Sequence, residues 1–378
     1  MVLPPAPGAE RGVAAWRVAG LSLLRRLVLA ATSAGYARVL VAEGAASDRA
    51  ALDGTLAGPL AAAPAASSAG QRLVLVPVNL VPQKRWLRAL LDARLERDKL
   101  HVDPALGVAV VETPRVDAVM TAARGETAPQ VLERLRKVFD QVPLAPDPAG
   151  AMVVRDGAER RGAEAWLYRS LIKQNEGFMS RHFERRISMA VTRRLVETRV
   201  TPNMMTVVSV AIGLAGAACF LSPRPAWQLT GALLFLLHSI LDGCDGELAR
   251  LKFLESRWGA VLDFWGDNIV HFAVFSAIAV GWALHTHSAW PLVVGGVAVV
   301  SAAGTAAFMF KRFVEDRATT GTWGARLIGA MSHRDFIYIV VLLSAFGRAH
   351  WFLLATAVGT PLFLVLALLF LRNDGRVS

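Results

Sequence analysis

The sequence predicts a small soluble α/β domain followed by an α-helical membrane domain. Hydrophobic residues make up 54% of the 378 residues, but residues 1–200 carry most of the charge, whereas residues 203–371 are mostly long uncharged runs. Such a division favours two domains, one soluble in water and one embedded in the membrane. We expect four parts: a cytoplasmic domain (1–150), a connector with a juxtamembrane helix (151–200), a membrane domain (201–372) and a cytoplasmic tail (373–378).

In the first domain, short apolar runs alternate with longer segments whose apolar residues have the spacing of a helix. The predicted strands are 38–42, 73–77 and 108–112, and the predicted helices are 20–34, 83–97 and 129–140. Alternation of this kind is typical of a small Rossmann-like α/β domain with a mainly parallel sheet. Because the N-terminus lacks the basic-then-apolar pattern of a signal peptide, we expect this domain in the cytoplasm.

Six apolar runs approach the ~20 residues that a transmembrane helix needs. They are 204–222, 226–248, 260–284, 289–310, 336–347 and 350–371. The fifth is short, and Arg348 separates it from the sixth. The sequence therefore predicts six transmembrane helices.

Basic residues set the expected orientation. The loops 249–258 and 311–335 and the tail are rich in Lys and Arg, whereas the other loops hold only Arg224 and Arg348. This bias predicts a multi-pass protein of the cytoplasmic membrane with both termini inside. The net charge of +11 then favours an anionic membrane surface over nucleic acid as the partner. No disulfide framework follows from the two cysteines, Cys219 and Cys244, which both lie in apolar segments.

An amphipathic helix is predicted just before the first span. Phe183, Ile187, Val191 and Leu195 recur every four residues, among several arginines. We expect this helix to lie on the anionic inner leaflet. A plain basic linker that satisfies the charge bias is the alternative.

Four aspartates between the second and third spans need an explanation, because ionised carboxylates are costly near lipid. Asp242 and Asp245 fall on one helix face, and Asp263 and Asp267 fall on one face of the next helix. Converging carboxylates repel one another unless cations lie between them. Oxygen ligands favour Mg²⁺, Mn²⁺ or Ca²⁺, and a metal pair about 4 Å apart suits phosphoryl transfer.

Two other interpretations compete with a metal site. The acids could cap helices or pair with Arg250 and Arg257. Capping or pairing would require fewer than four acids and no flanking glycines. A membrane transporter using intramembrane acids is a remote alternative. Transporter sites tend to lie at the bilayer midplane, whereas these acids are predicted at the cytoplasmic ends of the spans.

The spacing D-x-x-D-G-x-x-A-R, then eight residues, then G-x-x-x-D-x-x-x-D runs from Asp242 to Asp267. It resembles the complete signature of the CDP-alcohol phosphatidyltransferase family. The resemblance covers about 176–371, agrees with six spans, and includes TPNMMT at 201–206.

The resemblance implies the chemistry. An acceptor hydroxyl would attack the phosphorus nearer the alcohol of a CDP-alcohol, and CMP would leave. Two ions of Mg²⁺ (or Mn²⁺) would be the cofactor, and a homodimer the assembly. Asp267 would be a metal ligand or the catalytic general base. The other implied residues are the metal ligands Asp242, Asp245 and Asp263 and the donor-binding residues Gly246, Ala249, Arg250 and Gly259.

Arg250 either steadies a phosphate or pairs with an aspartate. Lys311, Arg312 and Arg317 either bind a phosphate on the acceptor or only satisfy the orientation bias. His238 and His271 lie in the spans near the acids and receive no role. Within the family, CDP-diacylglycerol and phospholipid biosynthesis are favoured. The alternative is a CDP-inositol-dependent synthase of a soluble inositol phosphodiester.

Residues 18–44 are similar to the early helix and strand of sugar-nucleotide-type nucleotidyltransferases. The domain order resembles that of fused inositol-phosphate cytidylyltransferase/di-inositol-phosphate-phosphate synthases. Active relatives have a Gly-rich loop with a basic residue that cradles the triphosphate. Here that stretch reads PPAPGAERGVAAW, and PVN follows strand 73–77 where a metal-binding aspartate is expected. We therefore expect a catalytically silent domain.

Overall fold

A computed structural model describes most of the chain. Two compact units make it up, Met1–Arg169 and Ser170–Ser378. The described residues are 1–373 except for these short stretches: 6–8, 11, 43–44, 46–51, 53, 56, 61–69, 125–126, 145–149, 173–178 and 312–335.

The first unit is built on a seven-stranded mixed sheet with the strand order β10-β8-β9-β6-β1-β4-β5. Strand β1 lies parallel to β4 and β6, and β4 lies parallel to β5. Strand β9 is antiparallel to both β6 and β8, so the sheet is less parallel than predicted. The strands of this unit are β1 (Val2–Leu3), β2 (Arg17–Val18), β3 (Leu21–Ser22), β4 (Val39–Val41), β5 (Ala57–Pro59), β6 (Gln71–Pro77), β7 (Leu80–Pro82), β8 (Lys99–Asp103), β9 (Val108–Thr113), β10 (Asp140–Pro143) and β11 (Ala151–Val153).

Helices cover this sheet and close its core. Helix α1 begins after Ser22, whose side chain accepts from the Arg25 N–H, and ends at Gly35 with φ +96°. Leu3, Leu75 and Leu100 are buried together with the apolar faces of α3 and α4. The predicted α/β character is therefore confirmed. The helices are α1 (Leu23–Ala34), α2 (Lys84–Asp92), α3 (Val116–Ala123), α4 (Ala128–Leu135) and α5 (Gly157–Ser170).

The first unit extends past residue 150, where the sequence predicted its end. Strand β11 pairs antiparallel with β7, and the Asn79 side chain donates to the Val154 carbonyl at 3.0 Å. Helix α5 is tied to the same unit, because Glu164 accepts from the Ala19 N–H at 3.1 Å. Part of the predicted connector thus belongs to the α/β unit.

The second unit contains seven described α-helices. They are α6 (Arg185–Leu195), α7 (Pro202–Cys219), α8 (Pro225–Lys252), α9 (Arg257–Thr286), α10 (Trp290–Met309), α11 (Phe336–Ala345) and α12 (Ala349–Asn373). A π-helical turn, Ser180–Glu184, precedes α6.

Four of these helices are long and apolar enough to cross a membrane within the described residues: α7, α9, α10 and residues 349–369 of α12. Helix α8 has 28 residues but carries polar side chains such as Gln228, His238 and Asp242, which lower its hydropathy. Helix α11 has 10 described residues, about 15 Å of helix. The count of six spans therefore stays a prediction.

Close backbone packing places α8 and α9 against α7. A Cβ on Gly216 would lie 2.9 Å from the Gly231 carbonyl oxygen, and one on Gly266 would lie 2.7 Å from Val210 Cγ2. Small residues at such crossings let helices approach closely in a membrane domain. Helix α7 therefore holds α8 and α9, the two helices that carry the aspartates.

Candidate active site

A four-residue turn brings the aspartates of α8 and α9 to one end of the bundle. Helix α8 ends at Phe253, which has φ +56° and donates its N–H to the Ala249 carbonyl. Ser256 caps the N-terminus of α9, because its Oγ accepts from the Gly259 N–H at 2.9 Å. Helix α8 therefore ends, and α9 begins, at positions that allow their acidic faces to contact each other.

Three of the four predicted aspartates form a compact cluster. Asp242 and Asp245 are buried, Asp263 is half-buried, and their carboxylate oxygens lie within 4.8 Å of one another. Two oxygens on opposite sides of one ion are separated by about 4.2 Å for Mg²⁺ and by about 5 Å for Ca²⁺. The cluster has the spacing and the donor chemistry that a hard divalent cation requires.

Asp267 lies outside that cluster of three, one helical turn further along α9. Its Oδ1 is 3.5 Å from Nε2 of the buried His238 on α8. The structure therefore gives Asp267 a buried histidine as a neighbour. Sequence reasoning assigned His238 no role.

Helix α7 contributes a residue that sequence reasoning missed. The Thr206 hydroxyl donates to an Asp245 carboxylate oxygen. A hydrogen bond to the ionised carboxylate favours that form and fixes its orientation. The available signal was the TPNMMT stretch, whose last residue is Thr206.

The four predicted donor-binding residues line one cavity of about 180 Å³. The same cavity is bordered by Asp245 and Asp263. A Cβ on Gly259 would come within 3.1 Å of Asn203 Oδ1. A larger residue at this position would therefore crowd the cavity wall. The four are Gly246, Ala249, Arg250 and Gly259.

A second cavity of about 740 Å³ opens on the other side of Asp263. Asp263 and Asp267 border it, with Asn268 and His271 as further polar residues on α9. Its other walls are largely apolar and come from α9, α10, α11 and α12. They include Phe264, Phe275, Met309, Phe336 and Phe363.

The predicted acceptor residues are not assembled into a site within the described residues. Lys311 is exposed just beyond α10. Arg312 and Arg317 lie outside the described residues. A phosphate site made by these three side chains stays a prediction.

Glu247 is a second functional candidate that sequence reasoning missed. It is fully buried on α8, on the helix face away from Asp245. Three donors on α6 bind it: Arg185 at 2.8 Å, Ser188 at 2.7 Å and Thr192 at 2.7 Å. This network binds the polar face of α6 to α8, the helix that carries Asp242 and Asp245, and leaves Phe183 and Ile187 exposed. Whether that exposed stripe meets the membrane stays a prediction.

Comparison with known families decides what kind of domain carries this cluster. Residues 199–362 match the family model for CDP-alcohol phosphatidyltransferase. Residues 199–362 therefore form a domain of the CDP-alcohol phosphatidyltransferase type. The resemblance carried by the aspartate spacing is therefore confirmed. Together with the four apolar helices, this phosphotransferase domain identifies an integral membrane protein.

Two curated relatives bear the same name, "Bifunctional IPC transferase and DIPP synthase". The protein from Thermococcus kodakarensis is 42% identical over 122 residues, 32% of this chain and 27% of the relative. The protein from Aquifex aeolicus is 27% identical over 221 residues, 57% of this chain and 49% of the relative. The alignments thus span about half or less of the length of these relatives.

A solved structure is also similar, that of Mycobacterium tuberculosis phosphatidylinositol phosphate synthase with CDP-DAG bound. The sequence identity is 22% and the TM-score is 0.36. The match covers 48% of this chain and 92% of the solved one.

Proposed function

We propose that the protein is an integral membrane CDP-alcohol phosphotransferase. It transfers a substituted phosphoryl group from a CDP-alcohol to a hydroxyl acceptor and releases CMP. The observation that supports this most strongly is the cluster of Asp242, Asp245 and Asp263, with carboxylate oxygens within 4.8 Å of one another, inside the matched family domain.

The aspartate cluster would hold divalent ions, and we propose two, Mg²⁺ or Mn²⁺. When bound, such ions neutralise the charge that develops on the transferring phosphate. Asp242 and Asp245 would hold them from α8, and Asp263 from α9. The Thr206 hydroxyl would keep the Asp245 carboxylate turned toward them.

The two cavities divide the substrates around Asp263. We place the cytidine diphosphate part in the smaller cavity, where the Arg250 guanidinium can steady a phosphate. The acceptor hydroxyl approaches from the larger cavity, which Asp267 borders and whose apolar walls would also hold the alcohol part of the donor. The acceptor oxygen forms a bond to the phosphorus nearer the alcohol, and the bond from that phosphorus to the CMP oxygen breaks. The acceptor proton passes to an Asp267 carboxylate oxygen.

We propose CDP-diacylglycerol as the donor and a phospholipid as the product. The support is the apolar wall of the larger cavity beside Asp263, where Phe264, Phe336 and Phe363 suit an amphiphilic alcohol. The second candidate is CDP-inositol with a soluble inositol phosphodiester as product. The names of the two curated relatives favour that candidate.

A donor panel separates these candidates. The purified full chain in detergent with Mg²⁺ is given CDP-diacylglycerol or CDP-inositol with alcohol and phosphorylated-alcohol acceptors, and CMP release is measured. We expect release with the lipid donor and a product that partitions into organic solvent. Release with CDP-inositol alone, with a water-soluble product, would replace the lipid assignment by the second candidate. No CMP from any donor would contradict the proposed function.

We place the site at the cytoplasmic end of the spans, in the cytoplasmic membrane. The support is the bias of basic residues toward the loops on that side. A homodimer is proposed on the family resemblance.

The role of Asp267 gives a testable difference from Asp242. If Asp267 acts chiefly as the base, Asp267→Asn lowers CMP release by about 100-fold or more, because general base catalysis contributes that much. Donor affinity then stays within about threefold, a difference of ~0.7 kcal/mol. Calorimetric titration of donor with Ca²⁺ present measures it. Donor binding lost as completely as in Asp242→Asn would show that Asp267 is chiefly a metal ligand.

The α/β unit should not make a CDP-alcohol. Asn79, two residues after β6, is buried and donates to the Val154 carbonyl. Its side chain therefore stabilises the fold. We expect the full chain to release no pyrophosphate from CTP and a phosphorylated alcohol with Mg²⁺, under conditions where it releases CMP from a CDP-alcohol. Pyrophosphate above an enzyme-free blank would contradict this prediction and strengthen the CDP-inositol candidate.

A further inference from the structure

One buried histidine faces Asp267 and has no place in the function described so far. His238 lies on α8 one turn before Asp242, and its Nε2 is 3.5 Å from Asp267 Oδ1. We infer that His238 is a positioning residue, which holds the Asp267 carboxylate so that its second oxygen faces the acceptor hydroxyl. This inference rests on the proposed function.

The ring of His238 is held in place by three helices. It stacks on the buried Phe235 ring of α8, with centroids 6.2 Å apart and an interplanar angle of 16°. Gly213 of α7 leaves room for it, because a Cβ there would lie 3.0 Å from His238 Cγ. The same Cβ would lie 2.6 Å from Val270 Cγ1 of α9. These neighbours limit the space in which the His238 ring can turn.

Asp267 needs such a partner because its carboxylate can rotate. The terminal torsion of an aspartate has broad preferences, so packing alone orients it poorly. An N–H at one oxygen selects one orientation and leaves the other oxygen for the larger cavity, which Asp267 borders. A neutral imidazole with its proton on Nε2 donates there, as a charged imidazole does, so this role needs no change of net charge on His238.

In this structure the His238 ring and the Asp267 carboxylate are neighbours rather than hydrogen-bonded, so the role requires their contact to shorten when substrate binds. At 3.5 Å the contact is longer than the usual N–H···O range of about 2.7–3.2 Å. Catalytic hydrogen bonds are often long in free enzymes and shorten in the substrate complex. Losing an outer partner of a metal ligand typically costs about 10–100-fold in metal affinity or activity, and we expect a loss of that order for the partner of Asp267.

The test compares variants that keep or remove the donor in the full-length protein. His238→Phe keeps an aromatic ring for stacking and removes the N–H, whereas His238→Gln keeps an amide N–H at a similar reach. We expect His238→Phe to lower kcat by about 10–100-fold with the donor KM within about twofold. We expect His238→Gln to stay within about threefold of wild type. His285→Phe, at the far end of α9, serves as the control for changing a histidine to phenylalanine.

Several outcomes would overturn the inference. A kcat for His238→Phe equal to wild type would do so. Equal losses in the Phe and Gln variants would show a structural role, and a donor KM that rises as kcat falls would show a binding role. If His238→Phe does not fold, His238→Asn takes its place, because its shorter amide cannot reach Asp267.

A double-mutant cycle gives an independent check. In the Asp267→Asn background, His238→Phe should change kcat by less than about twofold, because the carboxylate that it positions is already gone. A full 10-fold or larger further loss would contradict the positioning role. A wild-type protein that releases no CMP from any donor would defeat the proposed function, and the role of His238 with it. A wild-type protein that turns over normally beside an equally active His238→Phe would defeat only the role of His238.

Discussion

Replacing Asp242 or Asp263 with asparagine should lower CMP release by at least about 10³-fold, ~4 kcal/mol of transition-state stabilisation. Each variant keeps the side-chain shape but removes one charge from a cluster whose oxygens lie within 4.8 Å of one another. The lost charge weakens the binding of hard divalent ions, which depends on carboxylate number. Steady-state CMP release at saturating donor measures the effect.

The same variants should fold normally, and this separates a metal site from structural acids. Without divalent ions the clustered carboxylates repel one another, so removing one should leave the melting temperature in EDTA unchanged or raise it. Glu197→Gln, which changes an exposed carboxylate of the same unit, is the matched control and should keep full activity. A lower melting temperature in EDTA for both aspartate variants would contradict the metal interpretation.

Glu247→Ala should be the most destabilising single change that the structure indicates in the membrane domain. It leaves Arg185, Ser188 and Thr192 without their shared acceptor in a fully buried position. Breaking a buried ion pair by removing one partner typically costs about 3–5 kcal/mol. We expect a large fall in the melting temperature in detergent, because α6 loses its main polar contact with α8.

Two comparisons test whether the hydrogen bonds to Glu247 cause the expected loss of stability. Thr192→Val alone should destabilise less, and combined with Glu247→Ala it should add little, because the two residues share one interaction. Glu255→Ala removes an exposed glutamate from the turn after α8 and should leave the melting temperature nearly unchanged. Full additivity of Glu247→Ala and Thr192→Val would show that the hydrogen bond contributes nothing.

The helical order of the membrane domain and the aspartate cluster follow from local features of the sequence. Apolar length predicts the helices, and the spacing of Asp242 and Asp245 places them on one helix face. The prediction that all four acids converge is only partly met, because Asp267 lies outside the group of three within the described residues. Its distance from Asp242 and Asp245 depends on the angle between α8 and α9, which the spacing of residues along the chain does not give.

The contacts that position the site depend on which helices pack together, so the sequence pattern does not reveal them. Glu247 lies two residues after Asp245 and looks like a solvated acid until α6 covers it with Ser188 and Thr192. In the first unit, β1 has two residues and β11 has three, too few for a periodic signal. Strand β11 gains its partner β7 from about 70 residues earlier in the chain, a pairing that no local propensity encodes.

Metal-dependent CMP release is the sharpest test of the proposed phosphotransferase activity. The purified full-length protein is stripped with EDTA, given a CDP-alcohol and an acceptor hydroxyl, and assayed for CMP before and after Mg²⁺ or Mn²⁺ is added. We expect no CMP above the enzyme-free blank in EDTA. Either ion should restore full release in the wild-type protein but not in Asp242→Asn. Undiminished turnover in EDTA would contradict this expectation.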